Sequence, residues 1–325
     1  MTADVDFGIA ILGLMAARHL VGPVVGLVGR VASVFETTFT VEFAGNCFVC
    51  VATAGVDNGP LNAICLETVH SEWRHLGVAE GQAVAIENGL MQLAGGPVFD
   101  VRRAAVWLPP PWPSEWDAGC LNAGLDALDV IAAGRAPADG LAGVAFAANR
   151  PAGLSGAVLR SARLKTATLS DWLAGRLAGR LDAGLDTAAR LAVRGLIGLG
   201  PGLTPSGDDV VAGLAIALAA TGETETVAAL AGFIRDAPAN ATSAFSRALL
   251  DAAIEGLPSA VLHSAVAALL LGGQAGGPIA LAAAVVRLDG VGHTSGWDML
   301  AGAVLGLRAV AGQAAVGADT VGADS

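Results

Sequence analysis

The chain has 325 residues, of which 54% are hydrophobic and 14% charged, with a net charge of −11 and a single lysine, Lys165. Its length accommodates two domains of ordinary size or one large one, and its composition is far from that of a disordered chain. The acidic balance repels phosphodiester backbones and anionic lipid, which excludes nucleic acid as a partner class. A mean hydropathy of +0.62 raises the membrane question. A helical span needs roughly 20 apolar residues, yet Val210–Ala220 lies between Asp208-Asp209 and a Thr-Gly pair, and Val261–Val286 is broken by GGQAGGP. Asp4 and Asp6 stand where a signal peptide carries positive charge. The sequence therefore predicts a cytoplasmic protein with no membrane segment.

The first 115 residues have a β texture. VVGLVGRVASVFETTFTVEFAGNCFVCVAT, GQAVAIENGLMQL and DVRRAAVWLP carry β-branched and aromatic residues in short alternating pieces. Turns are expected at Asn58–Pro60 and at Glu87–Gly89. The pattern predicts a small antiparallel sheet or barrel over residues 1–115. Cys47 and Cys50 form a CxxC, the spacing of zinc and redox sites, but they fall in an alternating strand where positions three apart face opposite ways. With no second CxxC, buried reduced cysteines are favoured over a metal site, and no metal or cofactor is expected.

LPPPWPSEW, residues 108–116, interrupts any regular element because proline lacks an amide donor and restricts its predecessor. Residues 116–325 then turn to Ala, Leu, Gly, Asp and Arg at helical spacing. The fold class expected is α+β, with a β-rich N-terminal domain followed by an all-α, Ala/Gly-rich domain. Helices are predicted at 118–133, 170–194, 207–220, 224–236, 242–255, 259–271, 278–287 and 295–311.

Between the second and third of these helices lies GLGPGLTPSGDD. Gly202 and Gly207 have the glycine spacing of a phosphate-binding P-loop, but Asp208 and Asp209 occupy the positions where that motif requires Lys and Ser or Thr. Ser206 and Asp209 have the spacing of a capping box. SGDDVVAG at 206–213 returns as SGWDMLAG at 295–302, each preceded by a threonine, Thr204 or Thr294. Caps do not demand glycine after the serine, so Gly207 and Gly296 suggest a close approach to the backbone. Two helix starts facing one cavity would offer free amides to a carboxylate or phosphate. Gly200, Gly202, Thr204, Ser206, Gly207, Asp208, Thr294, Ser295 and Gly296 are the candidate binding residues. Asp209, Asp298 and His293 are the candidates for catalysis, His293 as the best-placed titratable group, although a lone histidine is more often structural. NATSAFSRALLDAAIEG adds Thr242 and Ser243 at another helix start, with Arg247 or Arg194 as a carboxylate clamp. His19, His70, His75 and His263 have weaker contexts.

GLGPGLTPSGDDVVAG, ATSAFSRALLDAAIEG and GHTSGWDMLAGAVLGL, in this order, resemble the AllH-like family, named after a subunit of bacterial oxamate carbamoyltransferase. The resemblance covers roughly residues 190–311; the upstream half agrees in general texture. It implies anaerobic allantoin or purine catabolism, in which phosphate splits oxalurate into oxamate and carbamoyl phosphate through more than one subunit. Three readings stand side by side: a catalytic subunit of carbamoyl transfer, a non-catalytic subunit binding a small carboxylate or phosphate, and a set of packing devices. The adjacent aspartates either cap helices away from the ligand or hold a divalent cation.

Overall fold

The structure is a computed structural model that describes residues 6–21, 26–67, 72–146, 153–180 and 182–322; His70 lies outside them. It divides into two compact units, residues 1–110 and 111–325, each with its own apolar core.

The first unit is a closed eight-stranded barrel with a ninth strand attached. Its elements are β1 (Phe7–Gly13), α1 (Leu14–Leu20), β2 (Leu27–Val34), β3 (Thr38–Phe43), β4 (Cys47–Ala52), β5 (Asn62–Cys65), β6 (Ala83–Glu87), β7 (Leu90–Leu93), β8 (Val98–Asp100) and β9 (Ala105–Trp107). The sheet runs β5-β4-β3-β2-β6-β7-β8-β1-β9, and pairing of β1 with β5 closes it. Closure removes the free edges of an open sheet. The β6–β7 hairpin turns through Asn88 and Gly89, both at positive φ (52° and 73°), the two-residue turn that the Glu87–Gly89 signal implies. The expected antiparallel pattern needs correction at three pairings, because β4–β5, β1–β8 and β1–β9 run parallel. Alternation within a strand says which face is buried, not the direction of its neighbour. Phe7, Phe39, Trp73 and Phe99 meet edge-on or stacked, with centroids 5.1–5.9 Å apart, inside the barrel. The cysteines are free: Cys65 is buried, whereas Cys47, Cys50 and Cys120 are half-buried. Burial pushes the thiols of Cys50 and Cys65 up to about 11 and about 12.

The second unit is helical: α2 (Ala118–Ala132), α3 (Gly153–Leu177), α4 (Ala183–Leu196), α5 (Ser206–Ala220), α6 (Thr224–Arg235), α7 (Ala244–Ile254), α8 (Ala260–Leu270), α9 (Gly277–Leu288) and α10 (Ser295–Gly322). The single helix expected at 170–194 is two. Gly179 turns left-handed after α3 (φ 70°), and the Asp182 carboxylate caps α4 by accepting from the amides of Gly184 (2.7 Å) and Leu185 (3.1 Å). No described helix is long and apolar enough to cross a membrane.

α5 is the axis of this unit, with 14 of its 15 residues buried. It packs against α10 at backbone distance. A Cβ on Gly213 would lie 1.9 Å from the Met299 carbonyl oxygen, and one on Gly302 1.9 Å from that of Val210. Only glycine permits this approach. Gly213→Ala or Gly302→Ala is expected to cost about 3 kcal/mol or more. Gly232→Ala, in α6 with nothing within 4 Å of its would-be Cβ, should change stability by no more than about 1 kcal/mol, in the favourable direction. Urea denaturation of the three variants measures the contrast.

Candidate functional site

The α5–α10 approach brings the two Ser-Gly-x-Asp helix starts into direct contact. The hydroxyls of Thr204 and Ser295 are 3.1 Å apart. The Ser295 hydroxyl lies close enough to the Asp209 carboxyl to favour its ionised form, and the Ser206 hydroxyl does the same for Asp298. The arrangement is reciprocal: superposing one motif on the other residue for residue maps Asp209–Ser295 onto Asp298–Ser206 and Gly213–Met299 onto Gly302–Val210. Each serine faces the aspartate of the other helix.

This overturns the capping-box reading of Ser206 and Asp209. The residue preceding α5 is Pro205, which offers no side-chain cap, and Ser206 is the first helical residue. The close approach expected at Gly207 and Gly296 exists, but the chain itself makes it. A Cβ there would fall 2.0 Å from the carbonyl of Leu196 and 2.3 Å from that of Leu288. The first-turn amides are also largely committed. Gly207 donates to Leu199 (2.8 Å), Asp208 and Asp209 to Pro205 (2.9 and 3.2 Å), Gly296 to Val291 (3.1 Å) and Asp298 to Thr294 (2.9 Å). The anion-binding row of free amides expected of two helix starts is therefore reduced.

The three aspartates differ in their partners. Asp208, 2% exposed, accepts from the Gly198 amide (2.7 Å), the Thr242 hydroxyl and the Ser246 hydroxyl (2.6 Å), which ties the loop after α4 to the start of α7. Ser243 caps α7 by accepting from Ser246 N (3.0 Å) and donates to the Leu203 carbonyl (2.6 Å). Asp298, fully buried, accepts from the Leu141 amide (2.5 Å) and the Thr294 hydroxyl (2.8 Å). Asp209 is 6% exposed, and its Oδ2 has no hydrogen-bond partner among the described residues. Burial pushes the Asp209 carboxyl well above the ordinary aspartate range. The Ser295 hydroxyl opposes this, while Asp298 and Asp208 add to it. Burial likewise raises Asp298, against the donors Ser206, Leu141, Thr294 and Ala142.

The remaining candidates lie around this crossing. Gly200 and Gly202 are left-handed (φ 116° and 103°), with Gly202 exposed and a Gly200 Cβ position 3.1 Å from Ser206 N. His293 is exposed and makes no hydrogen bond with the described residues. Arg247 donates to the carbonyls of Ile234 (2.8 Å) and Pro238 (3.1 Å), which directs its guanidinium to the end of α6. Sequence reasoning missed the Gly140–Ala142 segment, whose amides reach Asp298; no motif marks it.

The fold and the site define an α+β chain in which a mixed β-barrel precedes a helical unit built on a duplicated Ser-Gly-x-Asp helix start. Two family models match it: the AllH family N-terminal domain over residues 11–106 and the oxamate carbamoyltransferase subunit AllH over residues 196–307. The chain belongs to the AllH family. No curated protein and no solved structure matches it.

Two stability predictions follow from the partners of these carboxyls. Asp208→Ala strands the Gly198 amide and two hydroxyls and should cost about 3 kcal/mol, measured by urea denaturation. Asp209 behaves differently, because a carboxyl raised in the folded state holds its proton more tightly than in the unfolded chain. Its stabilising contribution is full below the ordinary value of 3.8 and declines as pH rises toward the folded value. The Tm difference of Asp209→Asn from wild type should thus move in favour of the variant as pH rises above about 4. Calorimetric scans showing a pH-independent difference would refute this.

Proposed function

We propose that this chain is a subunit of a cytoplasmic oxamate carbamoyltransferase complex of purine or allantoin catabolism, and that the crossing of α5 and α10 forms part of its carbamoyl-transfer site. In the transfer, a phosphate oxygen bonds to the carbamoyl carbon of oxalurate and the bond from that carbon to the oxamate nitrogen breaks. The nitrogen takes up the proton that the phosphate loses, giving oxamate and carbamoyl phosphate. The transfer asks for a proton donor at the leaving nitrogen and for donors to the carbonyl oxygen, and neither need requires a cofactor.

The observation that carries this reading is the free, buried Oδ2 of Asp209 inside the family-matched segment. A carboxyl raised by burial holds a proton it can deliver, and in that neutral form it does not repel an anionic substrate. Ser295, with Thr204 behind it, orients the carboxyl. His293, exposed one residue before Thr294, is the second candidate for proton transfer.

One observation supports division of labour among subunits. Most first-turn amides are committed and Arg247 is turned to α6, so these two helix starts offer phosphate few donors. Phosphate is then held by a partner subunit, while this chain holds the carbamoyl or oxamate part.

In the reconstituted complex, Asp209→Asn and Ser295→Ala should lower carbamoyl phosphate formation about 100-fold or more, with melting temperatures within a few degrees of wild type. Full turnover by both variants refutes the site. Unfolding of both returns these residues to a purely structural role.

A further inference from the structure

The reciprocity of the two helix starts is broken at two places: Thr294, which donates to Asp298 Oδ2, has Pro205 as its counterpart beside Asp209, and a third segment reaches Asp298 alone. At Asp298 the carboxylate is closed by a third segment: Gly140, left-handed at φ 74°, comes so close that a Cβ would sit 2.8 Å from Oδ1, and the Leu141 amide donates to that oxygen at 2.5 Å. The Ala142 amide bonds the same carboxyl. At Asp209 the reciprocal serine is present, but no backbone amide occupies the corresponding position among the described residues, and Oδ2 is left without a partner. A buried oxygen in that state loses the free energy of its hydration without return.

From this broken symmetry we infer that Asp209 Oδ2 is where this chain holds the N–H of a carbamoyl or primary-amide group of its ligand, in place of the donors that Thr294 and the Leu141 amide supply to Asp298. The inference rests on the carbamoyl-transfer reading for its choice of ligand and adds an orientation to it. The amide end enters and the carboxylate end points away, because Asp208, Asp209 and Asp298 crowd the interior with carboxyls. A primary amide suits both protonation states of Asp209. Its N–H donates to an ionised oxygen, and its carbonyl accepts from a protonated one. The neighbouring loop at Gly200–Thr204 has Pro201 and Gly202 exposed, Gly200 beside Ser206 and Thr204 beside Ser295.

Calorimetric titration of the full chain, alone and in the reconstituted complex, tests the assignment with two probes of similar size: oxamate, which has one amide and one carboxylate, and oxalate, which has two carboxylates. Oxamate should bind, with oxalate at least about tenfold weaker. Asp209→Asn should weaken oxamate about tenfold and abolish the discrimination, while circular dichroism and Tm show a folded chain. Ser295→Ala, which keeps the carboxyl but loses its orienting hydroxyl, should reduce the discrimination less. Equal binding of the two probes, or discrimination that survives Asp209→Asn, overturns the inference, and normal carbamoyl phosphate formation in the same preparation leaves carbamoyl transfer standing. Asp209-dependent discrimination without turnover by the complex does the reverse. A shift in Tm produced by Mg²⁺ or ammonium and lost in Asp209→Asn, with no oxamate binding, would make the occupant a cation and overturn the inference. No binding of any probe would make it a water molecule, with the same result.

Discussion

The helical unit depends on one contact: two glycines that let α5 and α10 touch backbone to backbone. With Gly213 under the Met299 carbonyl and Gly302 under that of Val210, neither helix can slide or rotate without bringing a main chain into collision. Their first turns are thereby fixed side by side, so that a serine of each falls within hydrogen-bonding reach of the other's aspartate. Ordinary helix pairs keep 8–10 Å between axes, and their side chains have freedom to adapt. Here the close approach makes the position of Asp209 a property of the backbone rather than of a mobile side chain. This is the kind of rigid support that a chemically active group requires.

The same contact sets the electrostatics. Three carboxyls are buried in the first turns of two helices, where the positive ends of the helix dipoles favour them. Asp208 and Asp298 are compensated by amides and hydroxyls and act as fasteners, one for the loop after α4 and the start of α7, the other for the Gly140–Ala142 segment. Asp209 has one hydroxyl beside it and an oxygen without a partner among the described residues. Two adjacent residues of one sequence motif thus do opposite things, because successive positions on a helix point about 100° apart and meet different neighbours.

Much of this was legible in the sequence. Period-2 alternation marked the barrel, 3.6-residue periodicity marked the helices, and the repetition of Ser-Gly-x-Asp marked the two helix starts that meet. What failed did so for physical reasons. The leucine spacing of 170–194 carries through Gly179, because periodicity records which face is buried and not whether the chain is continuous. The capping box failed because a serine hydroxyl so placed has two possible partners, its own helix and a neighbour, and sequence shows only the first. Gly207 and Gly296 were read correctly as sites of close approach, but sequence does not say whether the approaching atom belongs to a ligand or to the chain. The parallel pairings of β1 and the Leu141 amide on Asp298 are long-range contacts without any local signature.

A site with three carboxyls looks ill suited to an enzyme family named for oxamate, and the resolution lies in how charge is distributed rather than in its total. Asp208 and Asp298 are held by short hydrogen bonds, and burial pushes Asp209 and Asp298 toward their neutral forms. On the proposed reading, a ligand at Asp209 meets hydroxyls and one carboxyl, which favours an amide over an anion. An anionic end must therefore find its counter-charge elsewhere. Within this chain Arg247 is turned to the end of α6 and the sole lysine, Lys165, bonds the Ser161 hydroxyl on α3. On the proposed reading, that counter-charge comes from another arginine of this chain or from a partner subunit, in keeping with the subunit designation of the family.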